Sequence, residues 1–335
     1  MKIKSLVTGG AGFIGSHLVE ELLKKNHDVI VVDNFFSGNI KNLKKVKNKL
    51  KIIKADITKN GNWEKNIKGI DYVFHLAALA DIVPSIQSPK KYFNTNVNGT
   101  INLLEACRKY GVKKIIYSAS SSCYGLAKNF PTKETDKILP EYPYALTKNL
   151  GEQIIQHYSK VYNLNYNSLR LFNVYGRRSR TSGAYGAMFG VFLAQKINNL
   201  PLTIVGDGSQ KRDFTHVRDI AIAFVDVALS KSHNMVFNVG SSKGTSINSV
   251  AKMLKSKKIY IPKRPGEPNL TLADTSLIKK KVGWKAKITI EQGVKEMLDN
   301  IQDWKKAPIW TSSKIKNATK DWFKYLKRWK KKLKH

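Results

Sequence analysis

Short apolar runs rich in Val and Ile alternate with longer amphipathic segments over the first half of the chain. The runs predict β-strands at residues 3–8, 28–32, 51–54, 71–76, 113–118 and 166–171. The segments with helical spacing predict helices at residues 13 to about 25, 89–110 and 144–162. This alternation indicates an α/β fold with a doubly wound parallel sheet, in which ligands bind beyond the carboxyl ends of the strands.

The regular alternation stops after Asn173. Two glycine-containing segments, residues 182–186 and 206–209, are typical of loops. A helix at 216–230 and a strand at 236–239 are expected to return to the main sheet. We therefore predict a first domain of residues 1–173 plus about 211–240, and a smaller α/β domain of about 174–210 and 241–303. Residues 304–335 form a separate basic tail.

Composition places the chain among ordinary globular proteins. It has 335 residues, of which 42% are hydrophobic and 25% charged. No apolar run approaches the roughly 18 residues that span a membrane. The chain begins with a predicted strand and not with a signal peptide, so we expect a cytoplasmic protein. Its two cysteines indicate neither a disulfide framework nor a zinc site, and no metal is expected.

The net charge of +35 is unusual. Such an excess is found in proteins that bind nucleic acid or anionic membranes. The alternative is a general lysine bias, because the excess is mostly Lys and is spread along the chain. We favour the lysine bias for the body of the protein and expect no nucleic-acid partner.

A glycine-rich loop at residues 8–15 lies between the first predicted strand and helix. Glycines at positions 9, 12 and 15 allow a tight turn and a close approach of the backbone to a pyrophosphate, as in a Rossmann dinucleotide site. The helix N-terminus supplies N–H groups and a favourable dipole. Asp33 ends the second strand, where its carboxylate would accept hydrogen bonds from ribose hydroxyls and repel a 2′-phosphate. This favours NAD over NADP, and Asp56 with Ile57 would flank the adenine.

Tyr144 and Lys148 are the main catalytic candidates. Four residues apart, they lie on one face of a predicted helix. An ammonium beside a phenol lowers the phenol's pKa from about 10, which gives a general base usable near neutral pH. A serine cluster at 118–122 follows the fifth strand, where a hydroxyl can bond a substrate oxygen and relay a proton to Tyr144. The alternative for the cluster is a polar turn.

These motifs occur in one order that resembles the extended short-chain dehydrogenase/reductase superfamily. The glycine loop, Asp33, the segments 75–78 and 96–100, the serine cluster and the Tyr144/Lys148 pair carry the resemblance. They are most similar to the NAD-dependent nucleotide-sugar epimerase/dehydratase family, of the 4-epimerase type. The resemblance covers about residues 3–303. It implies that the first domain binds NAD and that the smaller domain binds a nucleotide sugar.

The resemblance also implies residue roles. Tyr144 would be the base, Lys148 its pKa modifier and ribose contact, Ser120 the partner of the substrate hydroxyl and Ser122 a second candidate for the relay. The residues implied to contact NAD are Gly9, Gly12, Phe13, Ile14, Gly15, Asp33, Asn34, Asp56, Ile57, Leu76, Ala77, Ala78, Asn96, Ser118, Tyr144 and Lys148. The residues implied to contact the substrate are Ser120, Ser122, Tyr144, Asn173, Arg212, Arg264, Glu267 and Thr271. Arginine suits the diphosphate because its fork donates two hydrogen bonds.

The reaction follows from what the serine cluster lacks. Family members that are 4,6-dehydratases carry an Asp-Glu pair directly after the catalytic hydroxyl residue, where this chain has Ser121 and Ser122. Without an acid there, elimination loses its proton donor, and 4-epimerisation of a UDP-sugar is expected. The resemblance aligns Thr271 with a family position near the sugar 2-substituent, where a small residue admits an N-acetyl group, so UDP-GlcNAc/UDP-GalNAc and UDP-Glc/UDP-Gal are the candidate substrate pairs; the alternative is that Thr271 is only a strand residue. A 4,6-dehydratase and a UDP-glucuronate 4-epimerase stay as alternatives. The latter would use the basic segment 177–180 near the predicted sugar end, although we favour a solvated loop for that segment.

Partners follow from the resemblance and from the tail. A homodimer is implied, formed through the helices at 89–110 and 144–162. The tail at 304–335 holds 12 Lys or Arg and a single acid, Asp321. Its apolar positions recur at helical spacing: Trp322, Tyr325, Leu326, Trp329 and Leu333. Such a helix suits a weak contact with an anionic membrane surface, or packs its aromatic stripe on the body, which we favour. The rival function is a non-catalytic NAD-binding scaffold whose tail binds an anionic surface.

Overall fold

The computed structural model describes residues 2–179 and 188–332, with side chains described as far as Leu326 in the last helix. The strands are β1 (Lys4–Thr8), β2 (Asp28–Asp33), β3 (Leu50–Lys54), β4 (Tyr72–His75), β5 (Lys114–Ser120), β6 (Tyr166–Leu171), β7 (Val174–Tyr175), β8 (Leu202–Val205), β9 (Lys211–Asp213), β10 (Thr215–His216), β11 (Met235–Val239), β12 (Gly244–Ser246) and β13 (Lys258–Ile261). The α-helices are α1 (Phe13–Lys24), α2 (Ile82–Gln87), α3 (Pro89–Phe93), α4 (Gly99–Tyr110), α5 (Pro143–Tyr162), α6 (Met188–Ile197), α7 (Val217–Leu229), α8 (Ile247–Met253), α9 (Ser276–Val282), α10 (Ile290–Asp299), α11 (Ser312–Ala318) and α12 (Lys320–Lys332).

Seven parallel strands form the central sheet, in the order β11-β6-β5-β4-β1-β2-β3. The strand order reverses between β1 and β4, which is the switch point at which such sheets bind their ligands. The predicted fold class, a doubly wound Rossmann sheet, is confirmed. The predicted return of the strand near 236–239 is also confirmed, because β11 pairs with β6.

Successive residues of each central strand face opposite sides of the sheet, which explains the continuous apolar runs in the sequence. In β1, the Val7 side packs against helices α1 and α7, and the Leu6 side packs against α4 and α5. Both side chains are fully buried. The sheet is therefore covered on both faces.

Three predicted elements differ in detail from the structure. The fifth strand continues through Ser120, two residues beyond its predicted end, so Ser120 lies at the strand tip. Helix α5 begins at Pro143, since proline is suited to the first helical position. The long helix predicted at 89–110 is divided by a π-helical turn, Asn94–Asn98, between α3 and α4.

A third apolar cluster holds the region outside the sheet together. It contains Tyr175, Phe189, Phe214, Val250 and Met297, all of them buried. Three short strand pairs accompany it: β7 with β10, β8 with β13, and β9 with β12. This region has the mixed α/β character expected of the smaller domain. The boundaries of the two domains stay a prediction.

None of the helices in residues 2–179 and 188–332 is both long enough and apolar enough to cross a lipid bilayer.

Lys114 joins the sheet to the C-terminal end of α7. It opens β5 and is 2% exposed. Its Nζ donates to the carbonyls of Ala228, Ser230 and Ser232 at 3.0–3.1 Å. An ammonium is favoured at a helix C-terminus, where carbonyls have no helical partner and the dipole is negative. Burial lowers the pKa of Lys114, and the described contacts that act against this are all hydrogen bonds to carbonyl groups.

Replacing Lys114 with Met should lower the free energy of unfolding by about 2–4 kcal/mol, because several buried carbonyls lose their donor. Urea denaturation measures the change. Lys113→Met is the matched control, since the neighbouring ammonium is largely exposed and pairs only with Asp71 at 2.7 Å. The control should change stability little. Equal losses in the two variants would contradict the role given to Lys114.

Candidate active site

One cavity of about 570 Å³ lies across the carboxyl ends of the central strands and reaches the smaller region. It is lined by all but one of the site residues predicted from the sequence. The exception is Asn96, which is buried beneath the wall. Its amide accepts from the backbone N–H of Leu79 and donates to Thr147 Oγ1, so it pins a cavity loop to helix α5.

The glycine loop has the shape that a dinucleotide pyrophosphate requires. Gly9 has a φ of +71°, and a Cβ there would lie 2.7 Å from the Ala77 backbone nitrogen. A Cβ on Gly15 would lie 2.2 Å from the carbonyl oxygen of Gly9. Gly12 precedes α1, and a Cβ on it would meet only that same oxygen, at 3.1 Å. The N-terminus of α1 thus opens on the cavity, so the residues present fit NAD.

Asp33 ends β2 with its carboxylate held by the backbone. Oδ2 accepts from the Ala11 N–H at 2.9 Å and Oδ1 from the Phe35 N–H at 2.8 Å. Burial raises the pKa of this carboxyl, and the two N–H donors act against that rise. Asn34 Nδ2 donates to Asp56 Oδ2 at 3.2 Å, which joins the two segments predicted to surround the adenosine. Each Asp33 oxygen keeps a lone pair for a ribose hydroxyl.

Four hydroxyl groups cluster at the tip of β5. Ser120 Oγ and Ser122 Oγ are hydrogen-bonded at 2.8 Å. Ser120 lies near enough to the Tyr144 hydroxyl, and Ser122 to the Tyr142 hydroxyl, to act against the rise of each phenol pKa. The rings of the two tyrosines are stacked, with centroids 6.4 Å apart and an interplanar angle of 9°. Both serines predicted from the sequence therefore lie within this cluster.

Tyr142 is a cavity residue that the sequence analysis missed. It stands two positions before Tyr144, in an extended conformation that ends where Pro143 begins the helix. That break lets both rings face the same cavity, although residues two apart within a helix do not share a face. Pro143, between the two tyrosines, is the sequence feature that could have indicated this arrangement, because proline is favoured at the start of a helix.

The pKa values of the catalytic pair correct one expectation. Lys148 is 4% exposed, and burial lowers its pKa to about 7. Its Nζ lies 4.1 Å from the centroid of the Tyr117 ring. Burial raises the pKa of Tyr144, and the nearby Ser120 hydroxyl only partly offsets this. The expected lowering of the phenol pKa by Lys148 is therefore wrong for the structure as described, because burial dominates both groups.

Lys148→Met should raise stability most at low pH. The pKa of Lys148 is about 7 in the folded protein against 10.5 for an unperturbed lysine. Below pH 7, Lys148 is protonated in both the folded and the unfolded protein, so the folded protein bears the full cost of burying its ammonium. Between these pKa values only the unfolded state is protonated, so wild-type stability rises with pH and the advantage of the variant shrinks.

Melting temperatures at pH 6 and pH 9 test this, with Lys160→Met on the exposed side of the same helix as the control. A difference between wild type and Lys148→Met that does not change with pH would contradict the lowered pKa of Lys148.

Two arginines meet one carboxylate at the far end of the cavity. Arg212 Nη2 donates to Glu267 Oε1 at 3.1 Å, and Arg264 Nη1 lies 3.9 Å from Glu267 Oε2. Two guanidinium groups against one carboxylate leave a net positive charge, which suits a diphosphate. Nearby, Thr271 Oγ1 donates to Asn173 Oδ1 at 2.9 Å. The structure thus brings together the five predicted substrate residues that lie outside the catalytic group.

Asp213 explains why these segments converge. Its carboxylate is fully buried. Oδ1 accepts from the Ser241 N–H at 2.6 Å, and Oδ2 accepts from the N–H groups of Ser242 and Ala273 at 3.1 and 3.0 Å. Strand β9 and the segment around residue 271 are therefore fixed to each other, and Arg212 and Thr271 with them.

Two further carboxyl groups line the cavity, and the sequence analysis did not identify them. Asp81 lies close enough to Tyr144 for its charge to contribute to the raised pKa of the phenol. Glu141 precedes Tyr142, and one of its carboxylate oxygens is buried without a hydrogen-bond partner. Neither belongs to a recognisable motif, so only the folded chain reveals them.

Arg177 and Arg178 do not line the cavity. Arg177 pairs with Asp303 at 2.8 Å, and Arg178 pairs with Glu20. Their charges are therefore met by carboxylates of the protein. Arg180, which belongs to the same basic segment, lies outside the described residues.

The sheet, glycine loop and Tyr144/Lys148 pair define an NAD-binding Rossmann enzyme of the short-chain dehydrogenase/reductase type. The chain belongs to the NAD dependent epimerase/dehydratase family, whose model matches residues 5–240. The predicted family, the predicted cofactor NAD and the predicted class, an NAD-dependent epimerase, are confirmed.

Named relatives match nearly the whole of their own length. The putative UDP-glucose 4-epimerase of Methanocaldococcus jannaschii is 38% identical over 88% of this chain and 97% of its own. The UDP-glucose 4-epimerase of Thermotoga maritima, solved with UDP-glucose, is 35% identical with a TM-score of 0.85, over 90% of this chain and 99% of its own. The UDP-N-acetylglucosamine 4-epimerase of Methanobrevibacter ruminantium, solved with UDP-N-acetylmuramic acid, is 36% identical with a TM-score of 0.83, over 90% of this chain and all of its own.

Proposed function

We propose that this protein catalyses the 4-epimerisation of a UDP-sugar, with NAD regenerated within the site. The observation that carries the proposal is the position of the Tyr144–Ser120 hydroxyl pair. It lies in one cavity with the glycine loop on one side and the Arg212–Glu267–Arg264 group on the other. Ser121 and Ser122 occupy the positions at which a dehydratase of the family carries acids. Relatives named UDP-glucose 4-epimerase support the same reaction.

Each group of residues has a task in this proposal. The two arginines hold the diphosphate, and Glu267 accepts from the nucleoside ribose. Ser120 bonds the sugar 4-hydroxyl, and Tyr144 removes its proton and later returns it. Bound NAD supplies the acceptor and donor of the hydride at C4. Ser122 is hydrogen-bonded to Ser120 and lies near Tyr142, so the hydroxyl cluster beside Tyr144 consists of groups that can each donate and accept.

For the sugar, we propose UDP-GlcNAc/UDP-GalNAc or UDP-Glc/UDP-Gal. Thr271 lines the cavity with a small side chain, and its hydroxyl is engaged by Asn173, so it takes little room from a 2-substituent. A uronic acid is disfavoured, because Asp81 and Glu141 place negative charge on the cavity wall, and Arg177 and Arg178 are paired elsewhere. The homodimer through α4 and α5 is likewise a proposal.

Incubation of the purified protein with UDP-glucose, UDP-galactose, UDP-GlcNAc, UDP-GalNAc and UDP-glucuronate tests the function. We expect interconversion of C4 epimers, resolved by chromatography or NMR, for one or both of the uncharged pairs. Interconversion of UDP-glucuronate alone would overturn the sugar assignment.

A 4,6-dehydratase is the second candidate, favoured by one observation. Asp81 and Glu141 lie on the cavity wall, where a carboxyl group is available although the serine cluster has none. A stable 4-keto-6-deoxy product would support it. Binding of NAD without turnover of any UDP-sugar would instead favour the non-catalytic scaffold.

A further inference from the structure

The basic tail contributes a side chain to the cavity. Trp322, in helix α12, is 3% exposed and lies on the cavity wall. Its Nε1 donates to the carbonyl of Pro265 at 2.6 Å, and its ring centroid is 6.1 Å from that of Tyr142. The preceding residue, Asp321, accepts from Gln87 Nε2 in helix α2 at 2.8 Å. The helix is therefore fixed to the body on both sides of the cavity mouth.

Only part of the predicted aromatic stripe faces the body. Trp322 is buried, whereas Tyr325 is 51% exposed on the outer side of the same helix. Leu333 lies outside the described residues, and the side chain of Trp329 outside the described side chains. The expectation that the tail packs on the body is met through Trp322.

The two contacts of Trp322 place it along the proposed substrate. Pro265 directly follows Arg264, which belongs to the diphosphate end of the cavity. Tyr142 stacks on Tyr144, which marks the reacting end. The part of a nucleotide sugar that lies between the diphosphate and the reacting carbon is the sugar ring itself. A wall that joins these two ends therefore faces the sugar.

We propose that Trp322 is a substrate-binding residue whose cavity-facing indole edge packs against the sugar ring, so that the C-terminal helix α12 completes the active site. This inference rests on the proposed function for its ligand class. A sugar ring presents C–H groups on its faces, and the part of the indole that lines the cavity is an apolar surface for them. The hydrogen bond to Pro265 fixes the indole before the substrate arrives, which reduces the entropic cost of binding. In this proposal the C-terminal tail contributes to recognition of the sugar.

Trp322→Ala, Trp322→Phe and Tyr325→Ala test the proposal. Calorimetry with UDP alone and with UDP-GlcNAc or UDP-glucose separates the two halves of the ligand. Trp322→Ala should weaken binding of the UDP-sugar by about tenfold or more, with a matching rise in KM, and change the affinity for UDP less than about threefold. Trp322→Phe should recover most of the loss, and the exposed Tyr325→Ala should bind both ligands as wild type does.

Two outcomes would overturn the proposal: unchanged affinity for the UDP-sugar in Trp322→Ala, or an equal loss for UDP and UDP-sugar in both Trp322 variants. The second result would mean that the indole only supports the fold. A wild-type protein that turns over no UDP-sugar would defeat the proposed function, yet the comparison of UDP with UDP-sugar would still test Trp322. The two proposals therefore fail separately.

Discussion

Replacing Tyr144 with Phe is expected to lower kcat for UDP-sugar epimerisation by about 10³-fold or more, because general acid–base groups contribute on this scale. The change removes one oxygen and keeps the ring that stacks on Tyr142. Ser120 keeps its hydrogen bond to Ser122, so the change removes the proposed base and leaves the serine pair in place. NAD binding should be unchanged, because the glycine loop and Asp33 are untouched. Single-turnover and steady-state rates measure the loss.

Two other tyrosines make the test specific. Tyr142→Phe removes the hydroxyl of the ring that stacks on Tyr144, and we expect less than about a tenfold loss, since the group does not act as the proposed base. Tyr162→Phe, at the exposed end of the same helix, should have wild-type activity. Wild-type rates in Tyr144→Phe, or a larger loss in Tyr142→Phe, would refute the assignment of the base.

Loss of Glu152 should be strongly destabilising. Glu152 lies in α5 and Arg170 in β6, and both side chains are buried. Arg170 Nη2 donates to Glu152 Oε1 at 2.5 Å, and Nε lies 3.2 Å from each carboxylate oxygen. Ser168 Oγ also donates to Glu152, at 2.7 Å. Glu152→Met leaves the guanidinium buried and uncompensated, which should cost about 3–5 kcal/mol of stability, measured by urea denaturation.

The double variant Glu152→Met/Arg170→Met is the decisive comparison. It removes both charges, so it should be more stable than Glu152→Met alone. A double variant as unstable as the single one would show that packing, and not the uncompensated charge, causes the loss. Glu105→Gln breaks the exposed pair with Arg108, at 2.6 Å, and should have little effect. Because α5 also carries Tyr144 and Lys148, Glu152→Met should lower activity together with stability.

Much of the candidate site was predictable because it follows strands. Gly9, Asp33 and Ser120 are close to the ends of β1, β2 and β5, and parallel strands bring their carboxyl ends to one edge. Arg212 and Arg264 were assigned only through the family resemblance. Their meeting at Glu267 depends on the buried Asp213 carboxylate, whose backbone partners have no sequence signature.

Asn96 shows the opposite case. It belongs to a family motif and was expected to contact the cofactor, yet it is buried with its amide engaged by Leu79 and Thr147. Its place in a π-helical turn turns the amide toward the loop behind the cavity. The motif identified a residue that holds the cavity wall in place. From the sequence, this role could not be distinguished from direct contact with the cofactor.

The sequence by itself determined the class of the protein: a doubly wound sheet, an NAD loop and a Tyr144/Lys148 pair. These features are encoded locally, by the period of apolar residues and by short motifs at strand ends. The tertiary structure alone decided the pKa values of that pair, the stacking of Tyr142 on Tyr144 and the placement of Trp322 on the cavity wall. Burial and contacts between distant segments set these properties, and neither can be read from neighbouring residues.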